Sequence, residues 1–117
     1  MIFVAETEIK ELYVFQTVEA AVAACEGLDV EAAVWIFWDS EGNCLEPEFS
    51  VPNKRGFFGV QNGTYHLVPA RTEHYAPLLE ALDEIRFIDG DGIFKTTEEV
   101  RAYLTRHSTR MPRDGAV

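Results

Sequence analysis

The side chains able to do chemistry in this chain are few and widely spaced. There are two cysteines, Cys25 and Cys44, and three histidines, His66, His74 and His107. Zinc sites draw their ligands from short spacings such as Cys-x-x-Cys, and neither cysteine has such a neighbour. A thiol nucleophile needs a base beside it, and no local spacing pairs either cysteine with a histidine. Buried structural thiols are the simpler reading. Glu46 and Glu48 stand two apart on a predicted strand, facing solvent, where nothing drives their pKa values apart for acid and base work. Asp89-Gly90-Asp91-Gly92 shares the opening of a calcium loop without its further ligand and closing glutamate. Lys54-Arg55-Gly56-Phe57-Phe58-Gly59 is basic and aromatic but lacks phosphate-loop spacing and its Lys-Ser/Thr ending. These residues predict no catalytic group, no metal site and no cofactor.

Around those residues the chain divides into short elements. Met1 to Ala5 and Leu12 to Phe15 read as strands. Thr17 offers an N-cap to a helix with Val18, Ala21, Val22 and Cys25 on its inner face, closed by Gly27 and Leu28. Val34 to Trp38 is the strongest strand signal, followed by the turn cluster Asp39 to Asn43. Residues 44 to 51 alternate, and Pro47 demotes them to an edge strand or a bulge. Asn62-Gly63 predicts a type I′ hairpin between Phe57 to Gln61 and Thr64 to Val68. Tyr75, Leu78, Leu79, Leu82 and Ile85 make a second helical stripe, and Arg86 to Ile88 a short strand. Thr96 and Glu99 make a capping box for a third helix with Val100, Tyr103 and Leu104 inward. The expected fold is α+β: an antiparallel sheet of four to five strands, with about three helices in a single layer on one face. Residues 1–107 form one domain and 108–117 a polar tail.

The 117 residues suffice for one core without disulfide staples. Two cysteines, no basic leader and no apolar run of membrane length predict a soluble cytoplasmic protein. The formal charge of −10 argues against nucleic acid, whose phosphates call for a basic stripe. That charge is unevenly placed. Residues 1–50 hold eleven acids (Glu6, Glu8, Glu11, Glu19, Glu26, Asp29, Glu31, Asp39, Glu41, Glu46 and Glu48) against Lys10 alone. A solvated acidic surface is one explanation. A field that steers a basic partner is the other.

The first hairpin sharpens the second explanation. With Glu41-Gly42 as the turn, Asp39 faces Cys44, Phe37 faces Glu46 and Trp35 faces Glu48. Trp35 and Phe37 would then stand beside Glu46 and Glu48 on a face that one helix layer leaves open. A one-residue slip would part the rings from the acids. The predicted partner-binding residues are Trp35, Phe37, Asp39, Glu41, Glu46 and Glu48, with rings as anchors and carboxylates as steering groups.

Three stretches carry a resemblance over residues 12 to 105: Leu12-Tyr-Val-Phe15 entering an Ala-rich helix, Phe37-Trp-Asp-Ser-Glu-Gly-Asn43 as a hairpin tip, and Asn62-Gly-Thr-Tyr-His-Leu-Val-Pro69. In these the chain resembles the small acidic immunity proteins of bacterial toxin and immunity systems, including contact-dependent inhibition. The resemblance implies a protein that binds a cognate toxin domain, often a basic nuclease, and occludes its active site. It carries over no residue by identity. Two other classes stay open: a small-molecule-binding or regulatory domain with a pocket lined by Tyr65, His66 and the Arg55 loop, and a small enzyme in which a cysteine, a histidine and a carboxylate meet.

Overall fold

Ile2–Glu6 (β1) is apolar along four consecutive residues and buried at all five, because it is covered on both faces. A computed structural model describes residues 1–56, 59–71 and 76–108. In it β1 is the centre of a six-stranded sheet. Its neighbours are Glu11–Phe15 (β2) on one side and Trp35–Trp38 (β3) on the other, both antiparallel. Cys44–Val51 (β4) and Thr64–Pro69 (β7) extend the sheet beyond β3, and Phe87–Asp89 (β8) lies parallel to β2 at the opposite edge. The order is β7-β4-β3-β1-β2-β8, with Lys54–Gly56 (β5) and Gly59–Gln61 (β6) forming a separate pair. The class is α+β as expected. The main sheet has one or two more strands than predicted, and it is mixed because β8 returns parallel to β2.

Helices cover both faces, which corrects the single layer. Alternate residues of β1 belong to different cores. Phe3 and Ala5 pack with Leu12, Trp38, Leu78, Leu82, Val100 and Leu104, beneath Leu78–Ala81 (α3), the 3-10 turn Leu82–Glu84 and Thr97–Ser108 (α4). Ile2 and Val4 pack with Ala21, Cys25, Val30, Phe37 and Tyr65, beneath Val18–Ala24 (α1) and Gly27–Glu31 (α2). Ala21, Cys25, Val100 and Leu104 face inward as expected, whereas Val18, also expected inward, is 42% exposed, and Phe37, expected on an open face, is core. Each fully buried aromatic or branched side chain contributes about 1.5–3 kcal/mol through removal from water.

The Thr17 and Thr96 caps form as read. The Thr17 side chain accepts from the Ala20 N–H at 3.1 Å, and the Glu99 N–H donates to Thr96 Oγ1 at 3.2 Å. Glu99 reaches back one residue further than the expected box, to the Lys95 N–H at 2.7 Å instead of that of Thr96. Gly27 does not end a helix; it begins α2, while α1 already stops at a Cys25 in extended conformation. Tyr75, at the head of the second stripe, lies outside the described residues, as do Phe57, Phe58, His74 and 109–117.

The second hairpin is also corrected. Asn62-Gly63 does not join paired strands, since β7 pairs with β4 and β6 with β5. The β5–β6 pair is an excursion from the β4–β7 hairpin, and Asn53 closes its neck. Its Oδ1 accepts from the Gly63 N–H at 2.7 Å, while Nδ2 donates to the Gly27 carbonyl at 3.0 Å and to Glu31 at 2.9 Å. Any Cβ on Gly63 would lie 2.0 Å from the Val51 carbonyl oxygen, so this crossing needs glycine. Pro47 lies in a strand flanked on both sides, not at an edge. It is tolerated because β3–β4 pairing covers only Phe37↔Leu45 and Trp38↔Cys44, and the ladder is interrupted again between Phe49 and Val51. Among the described residues no helix is long and apolar enough to cross a membrane.

Candidate partner-binding face

The register of β3 against β4 decides which predicted site residues can act together, and the loop between them sets it. The Asp39 N–H donates to the Asn43 carbonyl at 2.9 Å, and the Gly42 N–H to the Asp39 carbonyl at 3.0 Å. Gly42 takes φ +85°. Asp39 Oδ1 accepts from the Glu41 and Asn43 N–H groups, both at 2.9 Å. Three residues, Ser40 to Gly42, therefore turn the chain in place of two. Phe37 pairs with Leu45 and Trp38 with Cys44, one residue from the expected register. The short carboxylate of Asp39 favours the longer loop because it satisfies two backbone donors that the tighter turn would leave to water.

The slip parts the rings from the acids. Phe37 is 1% exposed in the α1 and α2 core, so it is structural and not a docking anchor. Trp35 packs at the rim of that core, half-buried, with its ring 5.8 Å from that of Tyr13. Glu46 and Glu48 alternate with Leu45 and Phe49 of that core and so lie on the opposite face of the sheet. There they are claimed within the chain. Glu46 accepts from the Arg71 N–H at 2.9 Å, Glu48 pairs with Arg71, and His66 Nε2 lies 3.0 Å from Glu48. The hydrogen bond and charge of Arg71 hold the Glu48 carboxyl below the ordinary glutamate range. Asp39 is a loop-capping residue, and Glu41 is exposed at the hairpin tip. The six residues do not form one surface.

A different set of rings and acids is aligned by the strand registers. Across the α1 side of the sheet, Phe87 of β8 lies opposite Glu11, Glu11 opposite Glu6, and Glu6 opposite Trp35. One step along, Asp89 lies opposite Tyr13. Phe87 is 60% exposed, and Glu11, Tyr13 and Trp35 are half-buried. Among the described residues Glu6 is the one buried acid, its carboxylate accepting from the Glu8 and Ile9 N–H groups at 3.2 and 2.9 Å. The Tyr13 hydroxyl donates to Glu11 at 3.1 Å. Sequence reasoning kept Trp35 but missed Glu11, Tyr13, Phe87 and Asp89 as its companions. Only the acidity of the first fifty residues hinted at them, because the parallel β2–β8 contact has no local signature.

Cys25 is buried in the α1 core, and Cys44 is half-buried against the α3 core. Burial, with Asp29 nearby, pushes the Cys25 thiol up to about 12, and burial, with Glu46 nearby, pushes that of Cys44 up to about 11. A nucleophile requires the opposite shift. Among the described residues, no three His, Cys, Asp or Glu side chains gather as metal ligands. Tyr65 and His66 do not share a cavity. The Tyr65 hydroxyl is buried and donates to the Cys25 carbonyl at 2.8 Å, whereas His66 is exposed beside Glu48 on the other face. A pocket of about 260 Å³ does exist on the α3 side, lined by Ile36, Trp38, Ala81 and Ile85, with Lys10 and Glu84 also at its wall. Compared with known proteins, the chain matches no family model, no curated protein and no solved structure.

Proposed function

We propose that this protein is a binding module for a basic protein, working in the cytoplasm as an immunity protein works against its cognate toxin domain. The observation that carries the reading is the row Phe87, Glu11, Glu6 and Trp35, in which exposed or half-buried rings flank carboxylates on one side of the sheet. Rings supply contact area at low entropic cost, and surrounding acids accelerate encounter with a cationic surface. The net charge of −10 extends that field over the molecule.

The test is capture of basic proteins at low salt, followed by kinetics on the complex. Association should slow by about tenfold or more from low to high salt. Phe87→Ala should weaken binding by about 2 kcal/mol with the melting temperature unchanged. Undiminished binding by Phe87→Ala and Glu11→Gln would place the docking surface elsewhere. A second reading, an apolar small ligand, is favoured by the 260 Å³ pocket under α3. It predicts that an apolar ligand quenches Trp38 fluorescence and that Ala81→Phe abolishes the effect.

A further inference from the structure

Beside the row of rings and acids, where β2 meets β8, lies a pocket of about 350 Å³. Its walls include two aromatic side chains, Tyr13 and Phe15, and two carboxylates, Asp89 and Asp91, with Gln16 between them. Gln16 Nε2 donates to Asp91 Oδ2 at 3.1 Å, which fixes one carboxylate at the wall. Lys10, which precedes β2, is committed to Glu84 at 3.6 Å, and Arg101 to Asp83 at 2.9 Å. Burial raises the Tyr13 hydroxyl pKa, and the hydrogen bond to Glu11 and the charges of Glu11, Glu6 and Asp89 raise it further.

We propose that this pocket receives the guanidinium of an arginine side chain presented by the basic partner. Three features select that group. The pocket is much roomier than a bare metal ion needs, and ring walls favour a weakly hydrated planar cation over a compact ammonium. Two carboxylates at the wall, Asp89 and Asp91, offer charge-assisted acceptors to the several N–H donors of a guanidinium. The proposal rests on the basic-partner reading and assigns its chemistry to particular residues.

The experiment is an amide NMR titration with three probes: octa-arginine, octa-lysine and N-acetyl-arginine amide. Octa-arginine should shift the signals of residues 13–16 and 89–91 and bind about tenfold more tightly than octa-lysine of equal charge. The Asp89→Asn, Asp91→Asn double variant should lose that preference while keeping its fold, because asparagine tolerates the φ of +54° at Asp91. Equal affinity for lysine and arginine overturns the proposal, as does an unaffected double variant. N-acetyl-arginine amide binding as tightly as octa-arginine overturns the partner as the source, since a free guanidinium compound would then suffice. The two readings fail separately. A double variant that still captures basic proteins with full salt dependence sinks the arginine pocket alone, and wild-type protein that captures none sinks the basic-partner reading.

Discussion

Glu48 shows how a residue that looks available in the sequence is spent inside the fold. Arg71 and His66 converge on it from β7 and the segment beyond, so its carboxylate is compensated before any partner arrives. Its folded pKa is depressed, so the associated stability is present above the unfolded glutamate value and is lost as pH falls through the lower folded value. Arg71→Ala should therefore move the Glu48 titration, followed by carboxyl NMR, back up toward the ordinary glutamate range. Phe37 carries the opposite lesson. Phe37→Ala should cost about 3–5 kcal/mol in denaturant unfolding, because it empties a fully buried aromatic site. The raised thiols of Cys25 and Cys44 predict slow alkylation of the native protein at pH 8, with rapid labelling once it is unfolded. Residue character was legible wherever a side chain simply had to be inside, as for Cys25, Val100 and Leu104. It failed at Glu46 and Glu48, whose partner Arg71 is supplied by a strand pairing that no local pattern encodes.

At the scale of elements, caps were legible and registers were not. Thr17, Thr96 and Glu99 act within three or four residues of themselves, so the sequence contains the whole interaction. The Asp39–Asn43 loop is also local, yet a two-residue and a three-residue turn use the same Glu41-Gly42 pair. Only the two hydrogen bonds to Asp39 Oδ1 distinguish them. Asp39→Ala should release both donors and destabilise the protein by about 1 kcal/mol or more. Gly42→Ala should cost more than an ordinary surface change, because φ is +85° and the new Cβ would sit 3.2 Å from Leu104 Cδ2. Thermal melts of the two variants check both. If Gly42→Ala melts like wild type, the left-handed turn and the register built on it are wrong.

The whole molecule is organised by a central strand covered on both sides. The order of strands and the placement of helices arise from contacts such as Phe87 with Glu11, far apart in the chain, and periodicity cannot report them. The class of fold was nevertheless readable, since the strands β1 and β2 and the inward positions Ala21, Cys25, Val100 and Leu104 follow from local pattern, although Val18 of the same helical stripe is exposed. Charge acts at this scale as well. Eleven of the acids lie in the first fifty residues, which supply β1, β2 and β3 of the proposed docking row, with β8 adding Phe87 at its end.

The neck at Asn53 and Gly63 has a practical corollary. The crossing is fastened at its base, and β5 and β6 form a two-stranded sheet separate from the six-stranded one. Exchanging the β5–β6 pair for a short glycine-serine bridge should leave the unfolding transition close to that of the parent, whereas Asn53→Ala should loosen the joint between α2 and the β4–β7 hairpin. The excursion is thus a natural port at which foreign sequence, a tag or a reporter, can be installed on the opposite side of the sheet's strand order from β8.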